Sequence, residues 1–304
     1  MTEHDKAPYG PKVDHTAPKV SVPKGACDCH VHVFGPDARY PFAEGRTYTP
    51  ENATLENLVA HLAAIRFDRV VIVHPSPYGT DNTASLESAQ ALGSDRARVV
   101  AVLAEDVGAK ELDALHAKGV RGVRINLETA GVRDPEVARA RLIKEAERAA
   151  PLGWHVQTYA RLDVIAAVRD TIERLPTPLV VDHFGHTPAA GGVTQPGFSA
   201  ITDLMRSGKM YVKLSAPYLI STAPDYADAE ALAQAMIAAN EDRVLWASNW
   251  PHPGGTPATR RPDVVQPFRR VDDGLALDRM GRWVRDPGQW QKLIVDNAAR
   301  LYGF

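Results

Sequence analysis

The residues best suited to chemistry are two histidines two positions apart, His30 and His32, within Ala26-Cys27-Asp28-Cys29-His30-Val31-His32-Val33-Phe34-Gly35. The run reads as a short apolar strand ending in a glycine-led loop, and strand side chains alternate between faces. His30 and His32 are therefore expected to point the same way. Cys27, Cys29, Val31 and Val33 are expected on the opposite face, packed under a helix. Two imidazoles at the end of a first strand can bind a metal, hold an anionic substrate or move protons.

The elements that must position this pair follow from the rest of the chain. At 304 residues, with 44% hydrophobic and 24% charged residues, there is apolar surface for one large core or two modest ones, and no split is forced. The formal net charge of -2 gives no electrostatic reason to expect nucleic acid or an anionic membrane as partner. No signal-peptide pattern opens the chain, and no run of ~20 apolar residues suggests a membrane span. A soluble, cytoplasmic protein is expected. Cys27 and Cys29, the only cysteines, are too close on one strand for a disulfide and read as buried thiols. Residues 1–24 carry Pro8, Pro11, Pro18 and Pro23 with no apolar period. They are expected to form an extended arm across the body or a neighbouring subunit, which leaves a homo-oligomer open.

From residue 26 onward apolar strands alternate with amphipathic helices. Strands are expected at 26–33, 69–74, 98–104, 120–126, 154–160, 178–183, 210–215 and 243–248, with helical periods such as 54–66, 82–92, 108–118, 135–150 and 225–240. Eight such units in residues 25–304 predict one closed parallel (β/α)8 barrel rather than an open sheet, and no glycine-rich nucleotide loop follows an early strand.

Barrel chemistry sits at the carboxyl ends of strands. After the first strand a long loop carries Tyr48, which can reach over the mouth. After the second, His74-Pro75-Ser76-Pro77-Tyr78-Gly79 and Asn82 offer hydrogen-bond donors, although Asn82 also suits a helix cap. In the fourth, Arg124 and Asn126 alternate with Val123 and Ile125. An inward Arg124 needs an anion, either a protein carboxylate or a substrate, and the substrate is favoured because few acidic residues occupy other strand ends. The fifth strand presents His155 at its far, structural end and Tyr159 at the rim. The sixth ends in Val181-Asp182-His183-Phe184-Gly185-His186, with His183 aimed at the same rim as His30 and His32. Lys213 of the seventh can turn inward, and the eighth runs into Ser248-Asn249-Trp250-Pro251-His252-Pro253.

Taken together, His30-Val31-His32, Asp182-His183-Phe184-Gly185 and Asn249-Trp250-Pro251-His252-Pro253 resemble the amidohydrolase superfamily. Cys29-His30-Val31-His32-Val33-Phe34-Gly35-Pro36, Arg46-Thr47-Tyr48-Thr49-Pro50 and Pro75-Ser76-Pro77-Tyr78-Gly79 resemble, more narrowly, its 2-pyrone-4,6-dicarboxylate lactonase-like branch, which includes sulfomuconolactone hydrolases, sugar lactonases and a sugar-lactone isomerase. The resemblance runs from about residue 25 to the C-terminus.

It implies a distorted (β/α)8 TIM barrel that hydrolyses a small acidic lactone, bearing a carboxylate or sulfonate, in aromatic or sugar-acid catabolism. By that resemblance His30, His32 and His183 polarise the lactone carbonyl or activate water, with Tyr159, Asn249 and His252 in the catalytic group. Tyr48, Ser76, Tyr78, Asn82, Arg124, His186 and Lys213 form the candidate substrate-binding set. One divalent metal, zinc, on His30, His32 and His183 is one expectation; a metal-free site, with Arg124 and the histidines supplying the positive charge, is the other. The chain departs from the family at Asn249, where an aspartate acts as general base. An amide cannot take that proton. An introduced Asp-to-Asn replacement, a histidine base (His252 or His183), or attack by a hydroxyl of the substrate, as in a lactone isomerase, would each account for it. A catalytically silent acid-binding barrel is the reading from a different class.

Overall fold

Strands rich in valine, isoleucine and alanine can be buried on both faces only where helices cover one side and the sheet closes on the other. The computed structural model describes residues 10–36, 38–255 and 259–304. Asp37 of the expected loop and the first nine residues of the expected arm lie outside the described residues. Eight parallel strands follow one another around a barrel in chain order: β1 (Cys27–Val31), β2 (Arg69–Val73), β3 (Ala97–Ala101), β4 (Val120–Asn126), β5 (His155–Tyr159), β6 (Leu179–Val181), β7 (Met210–Ser215) and β8 (Val244–Ala247). All eight expected strands are present. Helices fill the outer layer, as in α1 (Leu55–Ile65), whose Leu58, Leu62 and Ile65 recur at helical spacing and are fully buried.

Strand alternation divides the core in two. Val70 and Ile72 join the helix-covered layer, whereas Val71, Val73, Val180, Leu245 and Ala247 form an inner cluster with Tyr302, which closes the bottom of the barrel. There the His155 ring lies 5.2 Å from Tyr302, and a β-carbon at Gly122 would fall 2.4 Å from the His155 ring. Only glycine leaves that imidazole room.

One expectation about β1 fails. Asp28 pairs with Val70 and Val31 with Ile72, so three residue steps on β1 oppose two on β2. This bulge resets the parity. Cys27 and Cys29 consequently belong to the inner cluster, on the same side as His30 and His32, and Val31 and Val33 alone pack into the helical layer.

The barrel is nearly closed between β8 and β1, where the ladder shrinks to one bridge, Val31 with Trp250. His32 N–H donates to Trp250 O at 2.8 Å and Asn249 N–H to His30 O at 3.0 Å. Asp28 completes the seam with its side chain, accepting from Ser248 N at 3.0 Å, His30 N at 3.2 Å and the Ser248 hydroxyl, and from His61 of α1 at 3.3 Å. The seam thus fixes the backbone of His30 and Asn249 together.

Across the same side runs the described part of the N-terminal segment. Trp250 Nε1 donates to Lys12 O at 3.0 Å, and His15 is hydrogen-bonded to His61 at 2.9 Å. It passes against α2 (Asp273–Trp283), where any side chain at Gly274 would strike Thr16 O. Among the described residues no helix is long and apolar enough to cross a membrane.

Several of these histidines are buried as neutral rings. Burial lowers His15 and His74 to about 4 and His155 to about 3. A histidine with a depressed folded pKa stabilises the fold above its unfolded pKa of ~6.5 and loses that contribution as pH falls toward the folded value. Each would withdraw about 1.4 kcal/mol per pH unit, so a few together rival the net stability of a domain. Thermal melts should therefore show a midpoint falling steadily from pH 6.5 to pH 4.5; a midpoint constant over that range contradicts these burials.

Candidate active site

The carboxyl ends of the strands surround a small cavity lined by His32, Tyr48, Ser76, Arg124, Asn126, Tyr159, His183, Asn249 and Arg260, among others. Its floor is organised by Asp182, the residue after β6. The carboxylate is wholly buried and faces His30 Nδ1 at 3.1 Å, Gln157 Nε2 at 3.2 Å, Lys213 Nζ at 3.4 Å and Arg124 Nη2 at 3.6 Å. Burial opposes a charge on Asp182, but His30 and Lys213 outweigh it and hold the carboxyl well below its ordinary range. A buried anion of this kind persists only with such partners.

Above this floor the ring positions follow from the hydrogen bonds. His32 Nδ1 lies 2.7 Å from Val73 O, and a carbonyl only accepts, so His32 carries its proton there and leaves Nε2 bare. His30 Nε2 is 3.3 Å away, while His30 Nδ1 faces the Asp182 carboxylate, which only accepts, and so carries its proton there. Lys213 Nζ donates to Gln157 Oε1 at 2.7 Å and stands 3.3 Å from His30 Nδ1. His183 sits against Ser215 Oγ at 2.8 Å, with its ring 4.8 Å from His30 and 5.2 Å from Tyr159. Burial, with Asp182 opposing and Lys213 and Arg124 assisting, lowers His183 to about 3, and burial and Arg124 lower His32 to about 3. Both are neutral at physiological pH. Burial pushes Tyr159 up to about 12, so its hydroxyl remains a donor.

Strain marks the same region. His183 (φ 51°), Asn249 (φ 70°) and His252 (φ 65°) are left-handed, a conformation costing roughly 1–2 kcal/mol for a residue with a β-carbon. His183 and Asn249, just past the ends of β6 and β8, are turned toward the mouth by these kinks rather than by strand alternation.

The structure brings His32, His183, Asn249, Tyr159, Tyr48, Ser76 and Arg124 to one cavity, with His30 directly beneath. It removes five other candidates from the wall. Lys213 is below the floor with no exposed surface. Asn82 spends its amide on Val102, donating to its O at 2.8 Å and accepting from its N at 3.0 Å. Tyr78 accepts from Gly35 N at 3.0 Å and stacks on Phe42, bracing the first loop. His186 lines a neighbouring cavity with Arg161 and Gln195, 3.9 Å from Glu128. The His252 ring reaches the Asn249 side-chain amide through Tyr218, lying 3.1 Å from its hydroxyl.

Arg124 needs a correction as well. A protein carboxylate, Asp182, does stand within ion-pair reach, yet the guanidinium is not consumed: Nη1 donates to His74 O at 3.3 Å and Nε is buried without a partner. Asp182 had a sequence signal of its own, a carboxylate ending a buried strand. Arg260, which stacks over Tyr48 at 4.9 Å, had none, because it comes from a long irregular loop.

His30, Asp182 and His183 offer ligand atoms within 4.8 Å of one another, close enough to hold a metal ion. The amidohydrolase family model matches residues 27–304. The chain is 33% identical to 4-sulfomuconolactone hydrolase of Rhizobium radiobacter over 97% of its own length and 95% of that protein. With 2-pyrone-4,6-dicarboxylate hydrolase of Comamonas testosteroni it shares 35% identity, covering 94% and 92% of the two chains. The crystal structure of a probable 2-pyrone-4,6-dicarboxylic acid hydrolase from Acinetobacter baumannii with citric acid bound superposes with a TM-score of 0.77 at 25% identity, covering 92% of this chain and all of that one. On the family match and these full-length likenesses, the chain belongs to the amidohydrolase family.

Proposed function

We propose that the protein is a hydrolase that opens an acidic lactone to its ring-opened carboxylate. The observation that carries this is the pairing, in one small cavity, of a partly unsatisfied guanidinium with neutral imidazoles and a protonated phenol. Arg124, with Nε unpaired, and Arg260 can face carboxylate or sulfonate groups, and the full-length likeness to hydrolases of acidic lactones supports such a substrate.

With the anion on Arg124, the lactone carbonyl lies toward Tyr159 and the histidines. The oxygen of a water attacks the acyl carbon while a lining imidazole, His183 or His32, takes its proton. The carbonyl electron pair becomes an oxyanion, stabilised by the Tyr159 hydroxyl and the Arg124 charge. Collapse of this intermediate restores the carbonyl and breaks the ring C–O bond, and the proton passes to the departing oxygen. Lowered to about 3, both imidazoles are unprotonated acceptors at neutral pH.

The donors are close enough for a metal, but the charges do not fit a resident divalent ion. Arg124 and Lys213 already set two cations against the single carboxylate of Asp182, and Asn249 brings no compensating charge. A divalent ion would add two more positive charges to a desolvated floor, a cost of several kcal/mol. We therefore assign the oxyanion-stabilising charge to the arginine and the phenol. Protein purified without chelators and then treated with one should keep its turnover number within about twofold. A tenfold loss reversed by zinc would overturn this assignment.

Arg124→Met tests the substrate class. Removing one charge-assisted hydrogen bond is worth about 1.5–3 kcal/mol, so KM for an acidic lactone should rise by one to two orders of magnitude, against less than about threefold for a neutral lactone of equal ring size. Equal changes for both would remove the case for an anionic substrate.

A further inference from the structure

Behind Asn249 runs a chain of hydrogen bonds that leads away from the cavity. Asn249 Nδ2 lies 2.9 Å from the Tyr218 hydroxyl, that hydroxyl 3.1 Å from His252 Nδ1, and His252 Nε2 2.9 Å from Asp273 Oδ2. His252 and Asp273 are each 1% exposed. The direction of every proton can be worked out from the far end. Burial opposes a charge on Asp273, but His252, His61 and His15 together keep the carboxyl below its ordinary range. As a carboxylate it only accepts, so His252 carries hydrogen on Nε2. In a neutral imidazole Nδ1 is then bare and receives the Tyr218 O–H. The phenol oxygen is left to accept, and Asn249 donates to it through Nδ2. The carboxamide oxygen Oδ1 is what Asn249 has left for the cavity it lines.

We propose that Tyr218, His252 and Asp273 are positioning residues that hold the Asn249 carboxamide with its oxygen toward the cavity, where it accepts a hydrogen bond from the attacking water. On this account the amide at 249 and the neutral imidazole at 252 are a matched pair. An aspartate at 249 would reverse the chain: its carboxylate takes the Tyr218 hydrogen, and His252 Nδ1 then faces oxygen lone pairs, an arrangement relieved by a second proton on His252.

The surrounding groups leave His252 as the member free to respond. His15, from the N-terminal segment, accepts the Asp273 N–H at Nδ1 at 3.0 Å and so donates through Nε2 to His61 of α1, whose Nε2 donates to Asp28. Both rings lie 3.7 Å from Asp273 Oδ2 with their protons committed. Arg269 stands over the Tyr218 ring at 5.2 Å.

Imidazole nitrogen NMR of the full-length protein, with His252 assigned through His252→Gln, tests the chain independently of any substrate. At pH 7.5 His252 should hold its proton on Nε2 with Nδ1 bare, and Asn249→Asp should place a proton on Nδ1. An imidazolium or Nδ1–H tautomer in the unaltered protein, or no response to Asn249→Asp, overturns the proposal. The kinetic arm rests on the hydrolase reading: Tyr218→Phe should lower kcat for an acidic lactone at least tenfold with KM within threefold, and an unchanged kcat contradicts the positioning role. Absence of turnover by the unaltered protein, with the NMR result as expected, would instead count against the hydrolase reading alone.

Discussion

One buried carboxylate holds the site together. Asp182 is shared by His30, Gln157, Lys213 and Arg124, which come from four different strands or their ends, so its charge ties the first, fourth, fifth and seventh strands to the sixth. Taking such a partner away leaves uncompensated buried charge, typically at a cost of about 3–5 kcal/mol. The arrangement also leaves the wall positive. A single anion answers an ammonium and a guanidinium, and the excess is directed at the cavity, where a substrate anion balances it.

The second constraint is the seam between the first and last strands. Asp28 replaces a missing stretch of ladder with side-chain hydrogen bonds, and the bulge beside it turns His30 and His32 toward the axis. These two departures from a regular barrel are what distort it, and both occur where site residues begin. The same economy appears in the left-handed residues His183, Asn249 and His252, each strained to present a side chain that an extended strand would have aimed elsewhere.

Periodicity made the barrel legible, because eight apolar runs separated by amphipathic helices have few other closed solutions. It also turned Arg124 inward and set Tyr159 at the rim, and it left Lys213 free to turn either way. Parity arguments failed where the backbone leaves the regular strand. The bulge moved Cys27 and Cys29 to the inside, and no feature of their residue types marks it. Depth was likewise hidden: Lys213 and Arg124 both point inward, but one sits beneath the floor and the other on the wall, a difference set by strand stagger. Residues on irregular loops, notably Tyr218 and Arg260, have no period to betray where they go. Candidates such as Asn82 and Tyr78 were polar near a strand end, yet they brace the loops that carry the site.

The central claim is that water, guided by neutral imidazoles and Asn249, attacks a lactone held by its negative charge. The most direct measurement is mass analysis of the product formed from an acidic lactone in water enriched in the heavy oxygen isotope. The account predicts ring-opened acid carrying one heavy oxygen in its new carboxylate. A product of altered ring size with no heavy oxygen would contradict it and point to attack by a hydroxyl of the substrate.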